Sequence, residues 1–265
     1  MKVGLGAVFR PQQPPERLRA VARAADETGL DELWLWEDCF REGGVATAVA
    51  ALAWTERIRV GVGLLPVPLR NLALTAMEIA TVDRLFPDRL RVGIGHGVQS
   101  WMAQVGARVE SPVTLLREYT TALRALLRGE QVSVHGRYVH LDGVALDWPP
   151  PSPTPVLVGT TGPRSLRLSG EVSDGTILTS STTSDGVTQA RRLLDEGRAA
   201  AGRADAHPVV VYVETAVGDP RPVAEAVREY ADAGVDTVVL QPTADDPDPE
   251  AFVRFVAGEV RPLLA

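Results

Sequence analysis

The chain has 265 residues, of which 45% are hydrophobic, and its formal net charge is -7. The acidic balance and the lack of any cluster of basic residues argue against nucleic-acid binding. No apolar run approaches the roughly 20 residues of a membrane span, and the single cysteine and four histidines show no metal-ligand spacing. Because the first apolar run, VGLGAVF, is also too short for a secretory signal, we expect a cytoplasmic protein without a metal.

Short apolar, β-branched runs alternate along the chain with stretches of helical period. In chain order, the predicted strands are 3–9, 32–37, 58–65, 90–95, 155–159, 174–179, 209–215 and 235–240. The predicted helices that follow them are 15–28, 44–55, 72–85, 112–128, 163–172, 185–202, 221–233 and 248–263. This alternation indicates βαβ units and a parallel sheet. Eight units in about 250 residues favour a single α/β domain over 1–265, a closed (β/α)8 TIM barrel, with an open doubly wound sheet as the alternative.

One segment departs from this alternation. After the fourth helix, QVSVHGRYVHL contains two alternating runs around His135 and Gly136. This pattern predicts a small β-hairpin over 131–141, inserted outside the barrel. The proline-rich DWPPPSPTP that follows is interpreted as a stiff connector into the fifth strand.

The turn after the fifth strand has the composition of an anion site. Its residues are Gly159, Thr160, Thr161, Gly162 and Pro163. The glycines allow close backbone approach, and free N–H groups with both threonine hydroxyls would meet an anion at the positive end of the next helix. Arg164, in the first turn of that helix, opposes the helix dipole unless a phosphate lies there. The alternative is an ordinary Gly-Pro helix start with Arg164 in solvent.

Two segments together carry a family resemblance. They are IRVGVGLLPVPLRNLALTAMEIATVDRLFPDRLRVGIGHG (58–97) and PVLVGTTGPRSLRLSGEVSDGTILT (155–179). The chain resembles the luciferase-like monooxygenase superfamily, and within it the coenzyme F420-dependent branch that includes methylenetetrahydromethanopterin reductase. The resemblance implies a barrel that holds a deazaflavin or an isoalloxazine ring in its mouth, with the cofactor phosphate in the turn at 159–163.

The resemblance also assigns cofactor contacts to other strand ends. A family bulge in the third strand, often built on a cis peptide bond behind the ring, corresponds to Gly63 and Leu64. The segment GIGHGVQSW corresponds to the loop that contacts the ring, which implies contacts from Gly95, His96 and Gln99.

The candidate catalytic residues are His96 and Asp38. Histidine titrates near neutrality, so His96 could protonate a substrate or hydrogen-bond the ring, and its alternative role is packing in the loop. Glu37 and Asp38 are adjacent and should face opposite ways, and we expect Asp38 to face the mouth and the cofactor. Asp38 matches the acidic member of an Asp-His pair in some deazaflavin enzymes, but Cys39 follows it here, so that histidine is absent.

These observations predict an oxidoreductase that moves hydride between reduced coenzyme F420 and a small organic substrate. One alternative is an FMN-dependent monooxygenase supplied with reduced flavin by a partner reductase, and another is a non-catalytic barrel subunit. A homodimer is the expected assembly. Arg10, Arg70 and Arg164 fall near strand ends and are candidates to meet the acidic tail of coenzyme F420.

Overall fold

A closed parallel barrel forms the centre of the molecule. The computed structural model describes residues 3–244 and 248–264. Within them the strands are β1 (Gly4–Val8), β2 (Glu32–Leu35), β3 (Arg59–Pro66), β4 (Leu90–Gly95), β5 (Val132–His135), β6 (His140–Val144), β7 (Val156–Gly159), β8 (Gly175–Leu178), β9 (Val209–Thr215) and β10 (Thr237–Pro242). The barrel order is β1-β10-β9-β8-β7-β4-β3-β2, and all eight strands pair in parallel. The predicted TIM barrel is confirmed, and the open sheet is wrong.

Helices flank the barrel between successive strands. They are α1 (Leu18–Glu27), α2 (Gly44–Ala53), α3 (Leu72–Leu85), α4 (Gln99–Gln104), α5 (Pro112–Leu127), α6 (Pro163–Val172), α7 (Ser184–Ala200), α8 (Pro220–Asp232) and α9 (Pro249–Phe255), and α9 continues as a π turn and a 3-10 turn to Leu264. Each predicted helix is present, and each starts within one residue of its predicted start except α1, which follows a 3-10 turn at Pro15–Arg17. The short helix α4 was not predicted. In the described part of the chain, no helix is long and apolar enough to cross a membrane.

The antiparallel pair β5–β6 forms the predicted hairpin outside the barrel, and it extends to Val144. A carboxylate on α5 holds its tip. Glu118 accepts the backbone N–H groups of Arg137, Tyr138 and Val139 at 2.9, 2.8 and 3.0 Å. The hairpin is therefore fixed to the outer helix by hydrogen bonds at its turn.

The barrel interior is filled from β2 and β9. Trp34 is fully buried, and its indole N–H donates to the carboxylate of Glu32 at 2.9 Å. The ring of Tyr212 meets it edge-on, with ring centres 6.0 Å apart. Strand β3 has glycine at both points of contact, because a Cβ on Gly61 would lie 2.3 Å from the Trp34 ring and one on Gly63 would lie 2.2 Å from the Tyr212 hydroxyl. Glycine is therefore the residue that lets this barrel close around two large rings.

Replacing Gly61 with alanine should lower the free energy of unfolding by about 1–3 kcal/mol, because the new methyl group overlaps a ring with no free space around it. Chemical denaturation measures this change. Gly258→Ala is the control, since no atom lies within 4 Å of a Cβ at that position, and its effect should stay within about 0.5 kcal/mol. Equal stability of the two variants would contradict this account of the barrel interior.

Candidate active site

A cavity of about 500 Å³ opens at the C-terminal ends of the barrel strands, where this fold places active sites. Predicted site residues that line this mouth cavity are Asp38, Gly63, Leu64, His96, Gly159, Thr160, Thr161 and Gly162. Trp36 lines it from the residue after β2, and Trp101 and Met102 line it from α4. The cavity is therefore mostly apolar, with its polar groups concentrated at the ends of β2, β4 and β7.

A bulge in β3 shapes the bottom of the mouth cavity. The peptide bond between Gly63 and Leu64 is cis, and the pairing of β3 with β4 shifts between Val62 and Leu65. The side chain of Leu64 enters the space left by glycines on two neighbouring strands. A Cβ on Gly159 would lie 2.4 Å from a Leu64 methyl carbon, and one on Gly95 would lie 2.6 Å from the other. Gly95 thus lies against Leu64 and does not line the cavity.

Gln99 is the first residue of α4, and its side chain is turned away from the cavity lining. Its amide donates to the carbonyl oxygen of His96 at 3.1 Å and to that of Gly97 at 3.5 Å. These bonds hold the loop that carries His96. In this arrangement Gln99 positions His96 and does not itself face the cavity.

The turn after β7 presents a helix N-terminus to the cavity. Gly162 is the N-cap residue of α6, and no side chain caps the helix there. The first N–H groups of a helix without such a cap are available to an anion. Pro163 and Arg164 begin the helix on its exposed side, and Arg164 has no hydrogen bond or ion pair with the described residues. The phosphate site therefore stays a prediction. The structure supplies a helix N-terminus without a side-chain cap and, beside it, an arginine without a partner among the described residues.

The two neighbouring carboxylates after β2 have different surroundings. Glu37 accepts two hydrogen bonds from Arg70, at 2.6 and 2.7 Å, and one from the backbone N–H of Gly44 at 2.8 Å. Arg70 also binds Glu78 at 2.6 Å. Arg70 is thus committed to two carboxylates and is not free for an acidic cofactor tail, contrary to the prediction.

Asp38 has no ion pair with the described residues. Burial raises the pKa of the Asp38 carboxyl, against the opposing charges of Arg41 and Arg10. Cys39 also lines the cavity, and burial with the charges of Glu37 and Asp38 raises the pKa of its thiol. A raised pKa keeps the thiol protonated at neutral pH, which disfavours a nucleophilic role.

His96 is largely enclosed. Burial lowers the pKa of its imidazole, and the backbone of Pro112 opposes this shift without cancelling it, so the ring is neutral at pH 7. Its Nε2 lies 3.2 Å from the hydroxyl of Ser165 in the first turn of α6. Its buried Nδ1 has no hydrogen-bond partner among the described residues. The ring is thus held on one side and has one nitrogen available for a further polar group.

Sequence reasoning missed Ser165 and Tyr212 as cavity residues. Ser165 lies three residues after the N-cap of α6, a position whose side chain often turns toward the start of the helix, so the helix boundary carried the signal. Tyr212 alternates with outward residues along β9, and this period of two places it inside the barrel.

Glu42, in the loop between β2 and α2, has an unusual environment. Both carboxylate oxygens are buried and have no hydrogen-bond partner among the described residues. Burial raises the pKa of Glu42 to about 7. The residue therefore changes its charge near neutral pH, close in sequence to Asp38 and Cys39.

Comparison with known proteins places the chain in a family. The family described as luciferase-like monooxygenase matches residues 1–233. The chain is 27% identical over 253 residues to 5,10-methylenetetrahydromethanopterin reductase from Methanolobus tindarius, covering 94% of this chain and 77% of the relative. It is 29% identical over 214 residues to F420-dependent glucose-6-phosphate dehydrogenase from Nakamurella multipartita, covering 69% of this chain and 61% of the relative. The solved coenzyme F420-dependent tetrahydromethanopterin reductase from Methanopyrus kandleri has the same fold, with a TM-score of 0.88 at 20% identity and full coverage of both chains.

The folded pKa of Glu42 lies above its ordinary value of 4.5, so its stabilising contribution is complete below about pH 4.5 and is lost as the pH rises through about 7. Glu42→Gln cannot ionise and should therefore gain stability relative to the native chain between pH 5 and pH 8, by on the order of 1 kcal/mol after discounting for solvent screening. Thermal unfolding at both pH values measures this gain. Glu27→Gln, at an exposed position, is the control and should show no such pH dependence. The same gain in both variants would refute the buried-carboxyl account.

Proposed function

Because the chain belongs to the luciferase-like monooxygenase family, we propose that it is a coenzyme F420-dependent oxidoreductase. It transfers hydride between the reduced deazaflavin and a small organic substrate. The observation that carries this proposal is the mouth cavity, in which an apolar shelf, an uncapped helix N-terminus and a neutral histidine converge. The apolar shelf suits a planar ring, the helix N-terminus suits a phosphate, and the histidine can donate to or accept from a polar edge of the ring.

The residues of the mouth fit such a cofactor. Leu64 provides the shelf behind the ring, and the backbone and hydroxyl groups of 160–162 provide the phosphate site. The unpartnered Nδ1 of His96 fits a polar edge of a bound group, since a buried imidazole nitrogen without a partner is costly. The dehydrogenase relative described as F420-dependent supports the choice of deazaflavin.

A bound deazaflavin would supply hydride chemistry, because it carries carbon where flavin has N5 and reacts poorly with oxygen. The protein itself would bind and orient the cofactor and the substrate, and it would exclude water from the cavity. Trp36 and Trp101 wall the cavity against solvent. His96 can take up or release a proton at its ring nitrogens. Asp38, whose pKa is raised, is the second group beside the cavity that can exchange a proton. We assign these two residues the proton-handling role in place of the Asp-His pair that Cys39 interrupts.

The second candidate function is an FMN-dependent monooxygenase with a partner flavin reductase. The same shelf and phosphate site suit FMN, and the family description favours this candidate. The third, a non-catalytic barrel subunit, is disfavoured by the intact turn after β7 and by the open cavity beside it. The acidic tail of coenzyme F420 separates the first two candidates. Arg70 is paired with Glu37, and Arg10 donates to the carbonyl oxygen of Pro242 at 3.2 Å, so Arg164 is the candidate without a partner among the described residues.

The proposal includes a homodimer in the cytoplasm. The outer face of α3 carries the exposed apolar side chains Leu74, Met77 and Leu85, at 52%, 57% and 64% exposure. Such a row on one helix suits burial against a second copy. Sedimentation velocity of the native chain and of Met77→Glu tests the assembly, and monomeric native protein would refute it.

The test of the function is a titration of the purified protein with coenzyme F420, FMN and FAD, oxidised and reduced, followed by turnover assays. We expect coenzyme F420 to bind tightest, and reduced coenzyme F420 to support reduction of small carbonyl or alkene compounds under nitrogen. Turnover with reduced FMN and oxygen, and none with reduced coenzyme F420, would establish the second candidate. Binding of no cofactor would establish the third.

Arg164→Gln should weaken coenzyme F420 by about 1–3 kcal/mol, which is the scale of a charge-assisted hydrogen bond. Arg167→Gln is the matched control, because Arg167 lies on the same helix but binds Glu196 at 2.7 Å away from the cavity. Calorimetric titration of both variants measures the difference. Equal affinities of the two variants for coenzyme F420 would show that Arg164 is solvent-exposed and does not contact the cofactor.

A further inference from the structure

A second cavity, of about 550 Å³, lies at the opposite end of the barrel, between the N-terminal ends of the strands. We call it the floor cavity, and its charged lining includes Glu32, Arg59 and Arg91. Trp34 and Leu157 form its inner wall and pack with Tyr212, which lines the mouth cavity. The rings and aliphatic side chains of the barrel interior therefore separate the two cavities.

Two guanidinium groups share one carboxylate in the floor cavity. Glu32 is only 5% exposed, and one of its oxygens already accepts the indole N–H of Trp34. The other oxygen lies 3.6 Å from the Nε atoms of both Arg59 and Arg91, which is longer than a hydrogen bond. Each guanidinium has five N–H donors. Arg91 reaches only the Leu90 carbonyl, at 3.4 Å, so most donors of the pair have no protein acceptor among the described residues.

The other carboxylates of the floor cavity are already neutralised. Asp31 binds Arg261 at 2.9 Å and the backbone N–H of Leu5 at 3.1 Å. Asp236 binds Arg191 at 2.6 Å and a backbone N–H at 2.7 Å. Of the charged residues that line the cavity, Arg59, Arg91 and Glu32 therefore remain. Asp83 and Asp88 act on Arg91 from outside this lining.

We propose that the floor cavity binds a small oxyanion, a carboxylate or a phosphate, between Arg59 and Arg91. Paired guanidinium groups recognise such anions through parallel N–H donors. The anion replaces the missing acceptors and offsets the repulsion between two cations that share a single buried carboxylate. This site is independent of the proposed function, because it uses the opposite end of the barrel.

A purely structural role for the arginine pair makes a different prediction about Glu32. If the pair only neutralises Glu32, the native chain binds neither phosphate nor a carboxylate between the two arginines. If the pair binds an anion, Glu32 competes with that anion for the same donors. Glu32→Gln should then tighten anion binding, while Trp34 keeps an amide oxygen as its acceptor.

The experiment titrates inorganic phosphate and, separately, succinate into the full chain by calorimetry at low chloride, where screening is weakest. Arg59→Gln and Arg91→Gln should each weaken binding roughly tenfold, and Glu32→Gln should strengthen it roughly threefold or more. Because phosphate can also bind at the mouth, the titrations are fitted to two sites, and Arg164→Gln should weaken only the mouth site. Circular dichroism and thermal unfolding of each variant confirm that it is folded.

The outcomes are distinct. Loss of phosphate binding in Arg164→Gln but not in Arg59→Gln or Arg91→Gln would place the anion at the mouth and overturn the proposal. No binding of either probe at tens of millimolar, or weaker binding in Glu32→Gln, would overturn it as well. Tighter binding of phosphate than of succinate, with the expected order of variants, would identify the ligand as a phosphate; the reverse order of probes would identify a carboxylate.

Discussion

The contact of Trp34 with the glycines of β3 is the constraint on which both ends of this barrel depend. The ring occupies the axis, so β3 must supply Gly61 and Gly63 at the points of contact. On its floor side the indole N–H is fixed to Glu32, and on its mouth side the ring meets Tyr212. Tyr212 donates to the carbonyl oxygen of Gly63, at the start of the bulge that orients Leu64. One buried side chain thus connects the floor charges, the barrel packing and the shelf of the mouth.

The electrostatics of the mouth follow from where charges are paired. Glu37 is held by Arg70, and His96 is neutral because it is enclosed. Asp38 is the nearby carboxylate without an ion pair among the described residues, and burial makes its charged form less favourable. A cavity with little fixed charge and an apolar shelf suits transfer of hydride, which needs close approach of two carbon centres and few competing water molecules. The two candidate groups for proton exchange are therefore Asp38, whose pKa is raised by burial, and His96, whose pKa is lowered by burial.

The fold could be predicted from the sequence because its signals are local. Apolar runs and helix start signals predicted the strands and helices of the barrel. Eight repeats of a strand followed by a helix then favoured a closed parallel barrel. The short helix α4 was not predicted, because its six residues make fewer than two turns and show too little of the helical period. The pairing of charged side chains could not be predicted for a different reason. Arg70 and Glu37 are 33 residues apart, and the sequence contains no rule that selects Glu37 over other carboxylates.

The dependence of Leu64 on glycine has an evolutionary consequence. Any side chain at Gly95 or Gly159 would meet Leu64 within 2.6 Å, so the bottom of the mouth has little freedom to change one residue at a time. The upper wall carries no such restriction, because Val98 is 46% exposed and Trp101 comes from a short helix in a loop. Divergence in substrate preference should therefore accumulate in the rim of the cavity, while the bottom of the mouth around Leu64 stays the same. Directed evolution of this chain would gain most from libraries at the rim and least from libraries on β3, β4 and β7.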